Sequence, residues 1–321
     1  MSDHSTTIIV VAGAQGSLGK LVCEALTERA QRAGQKLLVR GLVRKAPAQP
    51  PSKEQGDQRV ELVAVDYQSR EDLSRACDGA YCVISALQGL GEVIIGAQSK
   101  LLEAAIEKKV RRFIPSDYSG DFTRLPEGSH RNFDLRRRFH AAAKALIERA
   151  SSPLELTSIF QGGFTELLAS GWVLFDYKKQ KINYFGSPDS PMEYTTWKNT
   201  AEFTAAAALD ERPTPRYLYP AGYRMSPREA QVIAKRVTGA DFPLNRVMST
   251  GVLKNFISLM KFFKPGKKDD VMPLWVAMQY GYCGALGLMS PEHIDNDRYP
   301  DIQWTGVEDV IRSAFMEAGR K

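Results

Sequence analysis

The sequence predicts an α/β protein built on a doubly wound parallel sheet, with a smaller α/β lobe following it. Three observations predict this. Short β-branched apolar runs alternate with helix-patterned segments through the first half, as strands and crossover helices do. A glycine-spaced turn joins the first run to the first helix. The alternation then fades near residue 160 into a half rich in aromatics. At 321 residues the chain is about twice the ~150-residue single-domain prior, long enough for both parts.

The elements follow in order. Ile8 to Ala12 is a continuous apolar run and reads as a buried strand; Leu18, Leu21, Val22, Ala25 and Leu26 then recur at helical spacing. Leu37 to Val43, Val60 to Val65, Ala80 to Ser85 and Arg112 to Pro115 are the next four strands, and Leu156 to Phe160 the sixth. Amphipathic helices over Ser69 to Cys77 and Gln98 to Lys108 lie between them, and alternation of this kind implies helices on both faces of a parallel sheet. Lys45 to Gln58, with three prolines and mixed charge, is a surface connection. The boundary is expected at residue 160, giving domains 1–160 and 161–321, although the chain can return to the first sheet. The second part carries Trp172, Phe175, Tyr177, Tyr184, Phe185, Tyr194 and Trp197, with helices around Thr200 to Leu209, Ser226 to Thr238 and Thr250 to Phe263.

Composition excludes several classes. Apolar residues at 43% and charged residues at 25% are ordinary globular values. The net charge of +6 is spread among acidic residues, so no nucleic-acid partner is expected. Cys23, Cys77, Cys82 and Cys283 form neither a zinc pair nor a Cys-x-x-Cys, and read as reduced, buried thiols; no metal site is expected. The N-terminal segment has no basic region and its apolar run is too short for a signal peptide, which points to the cytoplasm. Val271 to Met289 is uncharged but holds Pro273, Gln279 and three glycines, so a buried helix or lid is expected and not a membrane span.

Gly13-Ala14-Gln15-Gly16-Ser17-Leu18-Gly19 sits directly between a strand and a helix. There Gly13 can make a tight turn, Gly16 lets the backbone approach a pyrophosphate, and Gly19 lets the helix pack on the sheet. The helix N-terminus then presents its amides to an anion, which makes the sheet Rossmann-type. Gly281, Gly284 and Gly287 repeat the spacing with no strand before them, so spacing alone carries little. The second strand ends at Arg44-Lys45 where a carboxylate would select NAD; guanidinium and ammonium groups instead favour the 2′-phosphate of NADP(H).

With these elements in place, the sequence resembles the isoflavone reductase-like and NmrA-like branch of atypical short-chain dehydrogenases/reductases. The resemblance rests on the glycine loop with Val43-Arg44, on Val65-Asp66, and on Ala76 to Ala86. It continues through Gln98, Arg111 to Tyr118, Thr157 to Phe164 and Arg298 to Thr305. It implies NADP(H) bound across the sheet's switch point, with Asp66 near the adenine and Ser85-Ala86 along the nicotinamide ribose. Pro115-Ser116 and Gln161-Gly162 would border the nicotinamide. It also implies a bulky aromatic or hydrophobic substrate for a monomer or homodimer.

Reducing members of that branch carry a lysine between positions corresponding to 140 and 142, where this chain reads His140-Ala-Ala. His140 is therefore the candidate acid or base, with Lys144 one turn further on and Tyr118 the next candidate. Tyr177…Lys181 and Tyr194…Lys198 match a Tyr-x-x-x-Lys dyad but follow the sixth strand and are read as coincidences. Arg136 to Arg138 are read as a solvated helix face. The favoured expectation is reduction of a carbonyl, quinone, enone or benzylic ether, with His140 or Tyr118 handling the proton. A non-catalytic NADP(H)-sensing regulator and a redox-neutral isomerase or cyclase stand beside it.

Overall fold

A computed structural model describes residues 6–44, 53–55, 58–169 and 174–319. Lys45 and Trp172 lie outside the described residues. The chain begins β1 (Thr7–Ala12), α1 (Ser17–Arg32), β2 (Leu37–Val43), β3 (Lys53–Gln55), β4 (Gln58–Ala64), α2 (Arg70–Cys77) and β5 (Cys82–Ser85). A π-helical turn over Glu92–Ala97 leads into α3 (Gln98–Glu107), then β6 (Arg112–Ile114) and α4 (Arg131–Arg149). β7 (Glu155–Leu156), β8 (Ser158–Ile159), β9 (Gly163–Phe164), α5 (Glu166–Ala169), β10 (Phe175–Asp176), β11 (Lys181–Phe185) and β12 (Met192–Thr195) come next. The last elements are α6 (Trp197–Leu209), β13 (Tyr217–Leu218), β14 (Tyr223–Met225), α7 (Pro227–Thr238), β15 (Leu244–Met248), α8 (Thr250–Phe263), α9 (Leu274–Ala285) and α10 (Val307–Gly319).

The main sheet runs β3-β4-β2-β1-β5-β6-β7, parallel throughout except for β3, which pairs antiparallel with β4 at one edge. The six parallel strands make the Rossmann order, and its direction of winding reverses between β1 and β5. Ile9 to Ala12 and Cys82 to Ile84 are wholly buried because helices cover both faces, which is why these strands read as unbroken apolar runs. Val10, Val83, Leu101, Phe113 and Phe139 form the centre of one face's core. Ser69 starts α2 by accepting the Asp72 amide at 3.2 Å, the local reason that helix begins there.

Two expected elements differ. Lys45 to Gln58 is not only a connection, since β3 within it adds an edge strand and the third parallel strand starts at Gln58. The sixth strand is divided. β7 pairs with β6, and the Thr157 amide still donates to the Phe113 carbonyl at 3.0 Å. The next rung would need an amide from Pro115, which has none, so the ladder stops, while on the opposite edge of the strand the Ser158 amide donates to the Arg216 carbonyl. β8 therefore pairs with β13.

The chain forms two compact units, and a single cut at residue 160 does not separate them. One contains Met1–Asp117, Leu135–Ile159 and Thr200–Leu218; the other contains Tyr118–Asp134, Phe160–Asn199 and Tyr219–Lys321. In the second unit, β10-β11-β15 and β14-β12-β9 make two small sheets. Phe175, Ile182, Ile233, Phe242 and Ile311 supply its core. Helix α7 opens on a capping box between Ser226 and Glu229 and closes on left-handed Gly239. Both chance dyads dissolve there. Tyr177 stacks on Phe175 at 5.2 Å, and Tyr194 is a core residue of β12 while Lys198 is exposed. Gly281 and Gly284 lie inside α9, a 12-residue helix, so the glycine spacing near residue 284 has no phosphate geometry. Among the described residues no helix is long and apolar enough to cross a membrane. All four cysteines are free and buried.

Candidate functional site

The glycine turn is held by backbone close contacts. Gly13 leaves β1 at φ +79°, and a Cβ there would stand 2.7 Å from the Ala86 carbonyl oxygen. A Cβ on Gly19 would stand 2.1 Å from the Gly13 oxygen, so side chains at these two positions cannot coexist with this turn. The Gly16 amide closes the turn onto Gly13 O at 2.9 Å, and the first helical bond runs from Lys20 N to Gly16 O. The amides of Ser17, Leu18 and Gly19 therefore have no acceptor in the preceding turn. Gly16 has no side chain to cap them, and no acidic residue sits in the first turn. This end keeps its partial positive charge and is shaped to meet an anion. Ala14 packs into the core beneath it, whereas Gln15 and Ser17 face solvent.

Arg44 leaves the end of β2 exposed to solvent. Its charge reaches the Tyr67 hydroxyl, which also faces the Gly13 amide; burial prevails over both and pushes Tyr67 up to about 12. Asp66 beside it is exposed and accepts the Gln68 amide at 2.8 Å, fixing the turn into α2. At the far side of the switch point the Ala86 amide donates to Ala12 O at 2.9 Å. Ser85 is fully buried, and its Oγ has no hydrogen-bond partner among the described residues. A buried hydroxyl of this kind is one that a polar ligand group would satisfy.

Pro115 and Ser116 follow β6. Ser116 is tied on three sides: its amide donates to Gln98 Oε1 at 2.9 Å, its hydroxyl to Leu87 O at 2.6 Å, and its carbonyl accepts from Arg136 Nε at 2.9 Å. Gln98, at the exit of the π-helical turn, is fully buried and so makes a rigid support. Arg136 is consequently no solvated residue. It is half-buried at this platform, and of the arginine run Arg138 is the exposed member.

Next to the platform the structure brings together a set the sequence did not join. His140 Nε2 lies 2.6 Å from Asp117 Oδ2, and Ser158 Oγ donates to the same oxygen at 2.7 Å. Ser158 Oγ and His140 Nε2 are 3.5 Å apart. Asp117 has no exposure, and the His140 side chain keeps 11%. Burial would raise the Asp117 carboxyl, but the His140 charge, hydrogen bonds from His140 and Ser158, and the Arg136 charge outweigh it and hold the group below its ordinary range. An ionised carboxylate only accepts, so Nε2 carries a proton toward Asp117. The imidazole lies nearly parallel to Tyr217, centroids 6.5 Å apart. Lys144 is not part of this set: its ammonium is 75% exposed and faces Glu148 at 3.7 Å.

Three expected site residues belong to the second unit. Tyr118 opens it, with its hydroxyl shielded from solvent. Gln161 is fully buried; its Nε2 donates to Gly162 O at 3.0 Å, and its Oε1 has no hydrogen-bond partner among the described residues. Gly162 adopts φ +80°, and a Cβ there would stand 2.1 Å from Glu193 O.

Strand order, glycine turn and uncapped helix start define a Rossmann-type nucleotide-binding unit. Residues 5–277 match the NmrA-like family, and the chain belongs to it. Among similar proteins is the oxidoreductase swnN of Metarhizium robertsii, 24% identical over 96% of this chain and 97% of that one. Another is an NmrA-like family domain-containing oxidoreductase of Gibberella moniliformis, 26% identical over 66% of this chain and 69% of its own length. The structure of AtPrR2 with NADP+ and (+)pinoresinol superposes with a TM-score of 0.72 at 19% identity, covering 97% of this chain and 99% of that one. An isoflavone reductase gives 0.72 at 19%, over 96% and 99%. At such identities these two structures establish the shared fold.

Proposed function

We propose that this chain is an NADPH-dependent reductase of a bulky aromatic or conjugated small molecule, of the quinone, enone or benzylic-ether type. The observation that carries the cofactor half is the uncapped start of α1 behind Gly13, with Arg44 at the neighbouring strand end and no carboxylate there. The oxidoreductase names of its relatives and the NADP+ and pinoresinol of AtPrR2 support the same reading. The residues fit the cofactor: Gly13 to Gly19 would take the pyrophosphate, Arg44 the 2′-phosphate, Asp66 the adenine end, and Ser85-Ala86 the nicotinamide ribose. Pro115-Ser116 and Gln161-Gly162 would border the ring. When bound, NADPH supplies the hydride.

The protein's own work is then orientation and proton handling. Gln98, Leu87 and Arg136 immobilise Ser116, so a group seated on it meets a surface that does not reorganise. Asp117 holds the His140 ring in place, and that imidazole exchanges a proton with substrate oxygen. Arg44→Asp is expected to weaken NADPH binding by roughly 10- to 100-fold while sparing NADH, since charge-assisted hydrogen bonds to the phosphate are lost. Titration with both nucleotides checks this; equal losses for the two would remove Arg44 from the 2′-phosphate. NADPH consumption across a panel of quinones and aromatic ketones tests turnover. Tight NADPH binding with no consumption would leave the regulator reading instead.

A further inference from the structure

Helix α8 carries apolar residues on two adjoining faces, and the protein covers one of them. Leu253 and Ile257 are buried against Trp275 and Val276. Val252, Phe256, Leu259 and Phe263, spaced four, three and four residues apart, make a second stripe along the helix. All four are exposed, Phe263 at 68% and its neighbour Phe262 at 78%. The two phenylalanine rings at the helix end contact each other at 5.0 Å, and Met272 and Leu274 at the entry to α9 are exposed too. Contiguous exposed apolar surface of this kind marks an interaction site.

Lysines dominate the charges around that end. Lys261, Lys264, Lys267 and Lys268 are all exposed, packed into the last turn of α8 and the Pro265-Gly266 loop that stops it. Between residues 250 and 274 the only carboxylates are Asp269 and Asp270. Asp270 is half-buried and turned to local duty: its carboxylate accepts the Met272 amide at 2.9 Å and its carbonyl accepts from Arg131. Two aromatic rings with lysines beside them match an anionic lipid surface, apolar below and negative at the headgroups. A second copy of the chain would set lysines against lysines.

We propose that the C-terminal end of α8 is a peripheral docking surface for an anionic phospholipid bilayer, on which Phe262 and Phe263 insert and Lys264, Lys267 and Lys268 meet the headgroups. This lies on the membrane and spans nothing. It stands independently of the reductase reading, because none of these residues belongs to the nucleotide or proton-transfer set.

The test is sedimentation of the full chain with vesicles of phosphatidylcholine alone and of phosphatidylcholine mixed with phosphatidylserine, at low and high salt. Wild type is expected to bind the phosphatidylserine vesicles, to bind the neutral ones far less, and to be released by salt. The double variant Phe262→Ser, Phe263→Ser is expected to lose at least roughly tenfold in partitioning, from the apolar area no longer buried. Lys264→Gln, Lys267→Gln and Lys268→Gln combined should lose about 10²-fold, near fivefold for each lysine. The replaced side chains are exposed, so unchanged melting and NADPH binding in both variants exclude misfolding as the cause. The proposal is overturned if wild type ignores phosphatidylserine vesicles at low salt, or if the phenylalanine variant binds them equally well. Sedimentation equilibrium showing a dimer that this variant dissolves, without vesicle binding, would assign the surface to a second copy.

Discussion

Replacing His140 by alanine is expected to lower NADPH-dependent turnover by about 10²- to 10⁴-fold, with NADPH affinity unchanged, because a positioned acid or base is removed and no nucleotide contact is lost. Asp117→Asn separates positioning from proton transfer. Its shape allows Ser158 and His140 to keep a hydrogen-bonded partner while the carboxylate charge is removed, so turnover is expected to fall by less than in His140→Ala, with NADPH affinity unchanged. Asp117 also sets an acid-stability signature. Its carboxyl is held below the ordinary range, so its contribution is complete above an unfolded-state value of about 4 and disappears as pH falls through the lower folded value. Melting curves of wild type should lose stability in that acid window more steeply than those of Asp117→Asn. Unchanged turnover in His140→Ala would transfer the proton to Tyr118 or to water.

Arg112→Ala is expected to destabilise the first unit by about 3–5 kcal/mol, a fall in melting temperature on the order of 10 °C. The guanidinium has no solvent exposure and every direction of its fork is used. Nε meets Glu155 at 3.0 Å and Thr214 at 2.8 Å, one terminal nitrogen meets the carbonyls of Ala207 and Asp210, and the other meets Glu155 at 2.6 Å and the Arg212 carbonyl at 3.0 Å. Burial would raise the Glu155 carboxyl, and the Arg112 hydrogen bond and charge keep it below its ordinary range. Removing the arginine leaves a half-buried carboxylate and three carbonyls without their donor, where the desolvation cost falls. Arg112→Lys should not rescue it, since one ammonium cannot reproduce a planar fork. Thermal melts decide the matter; a loss within about 0.5 kcal/mol, as at an ordinary surface position, would show that water replaces the guanidinium there.

The parts of the fold legible in the sequence are those in which local pattern and tertiary role coincide. Ile9 to Ala12 and Cys82 to Ile84 are buried on both faces, so those residues had to be apolar, and Gly13 and Gly19 sit where a Cβ would strike backbone. The sixth strand misled because its end is decided by Pro115 on a neighbouring strand, far away in sequence. The helices expected over Ser69 to Cys77 and Ser226 to Thr238 are both present, each opened by a serine that caps it within three residues. The site divides in the same way. The phosphate loop is a local motif, but Asp117, His140 and Ser158 come from three separate segments and only the folded sheet unites them. Arg136 looked like surface for a related reason: three arginines in a row suggest solvent, and one of them happens to face Ser116. Gln98 carries no sequence signal for its role, since it acts by supporting a backbone that others line.

Division of the chain into interleaved segments constrains how the protein can be made. The polypeptide passes from one unit to the other after residues 117, 134, 159, 199 and 218, so the nucleotide-binding half is not finished until its last segment, Thr200–Leu218, has been synthesised. That segment holds the Ala207, Asp210, Arg212 and Thr214 atoms that receive Arg112. A nascent chain halted at residue 160, or a truncation ending there, would lack most of the acceptors of Arg112. About two-thirds of the polypeptide must therefore leave the ribosome before the first unit has all its segments.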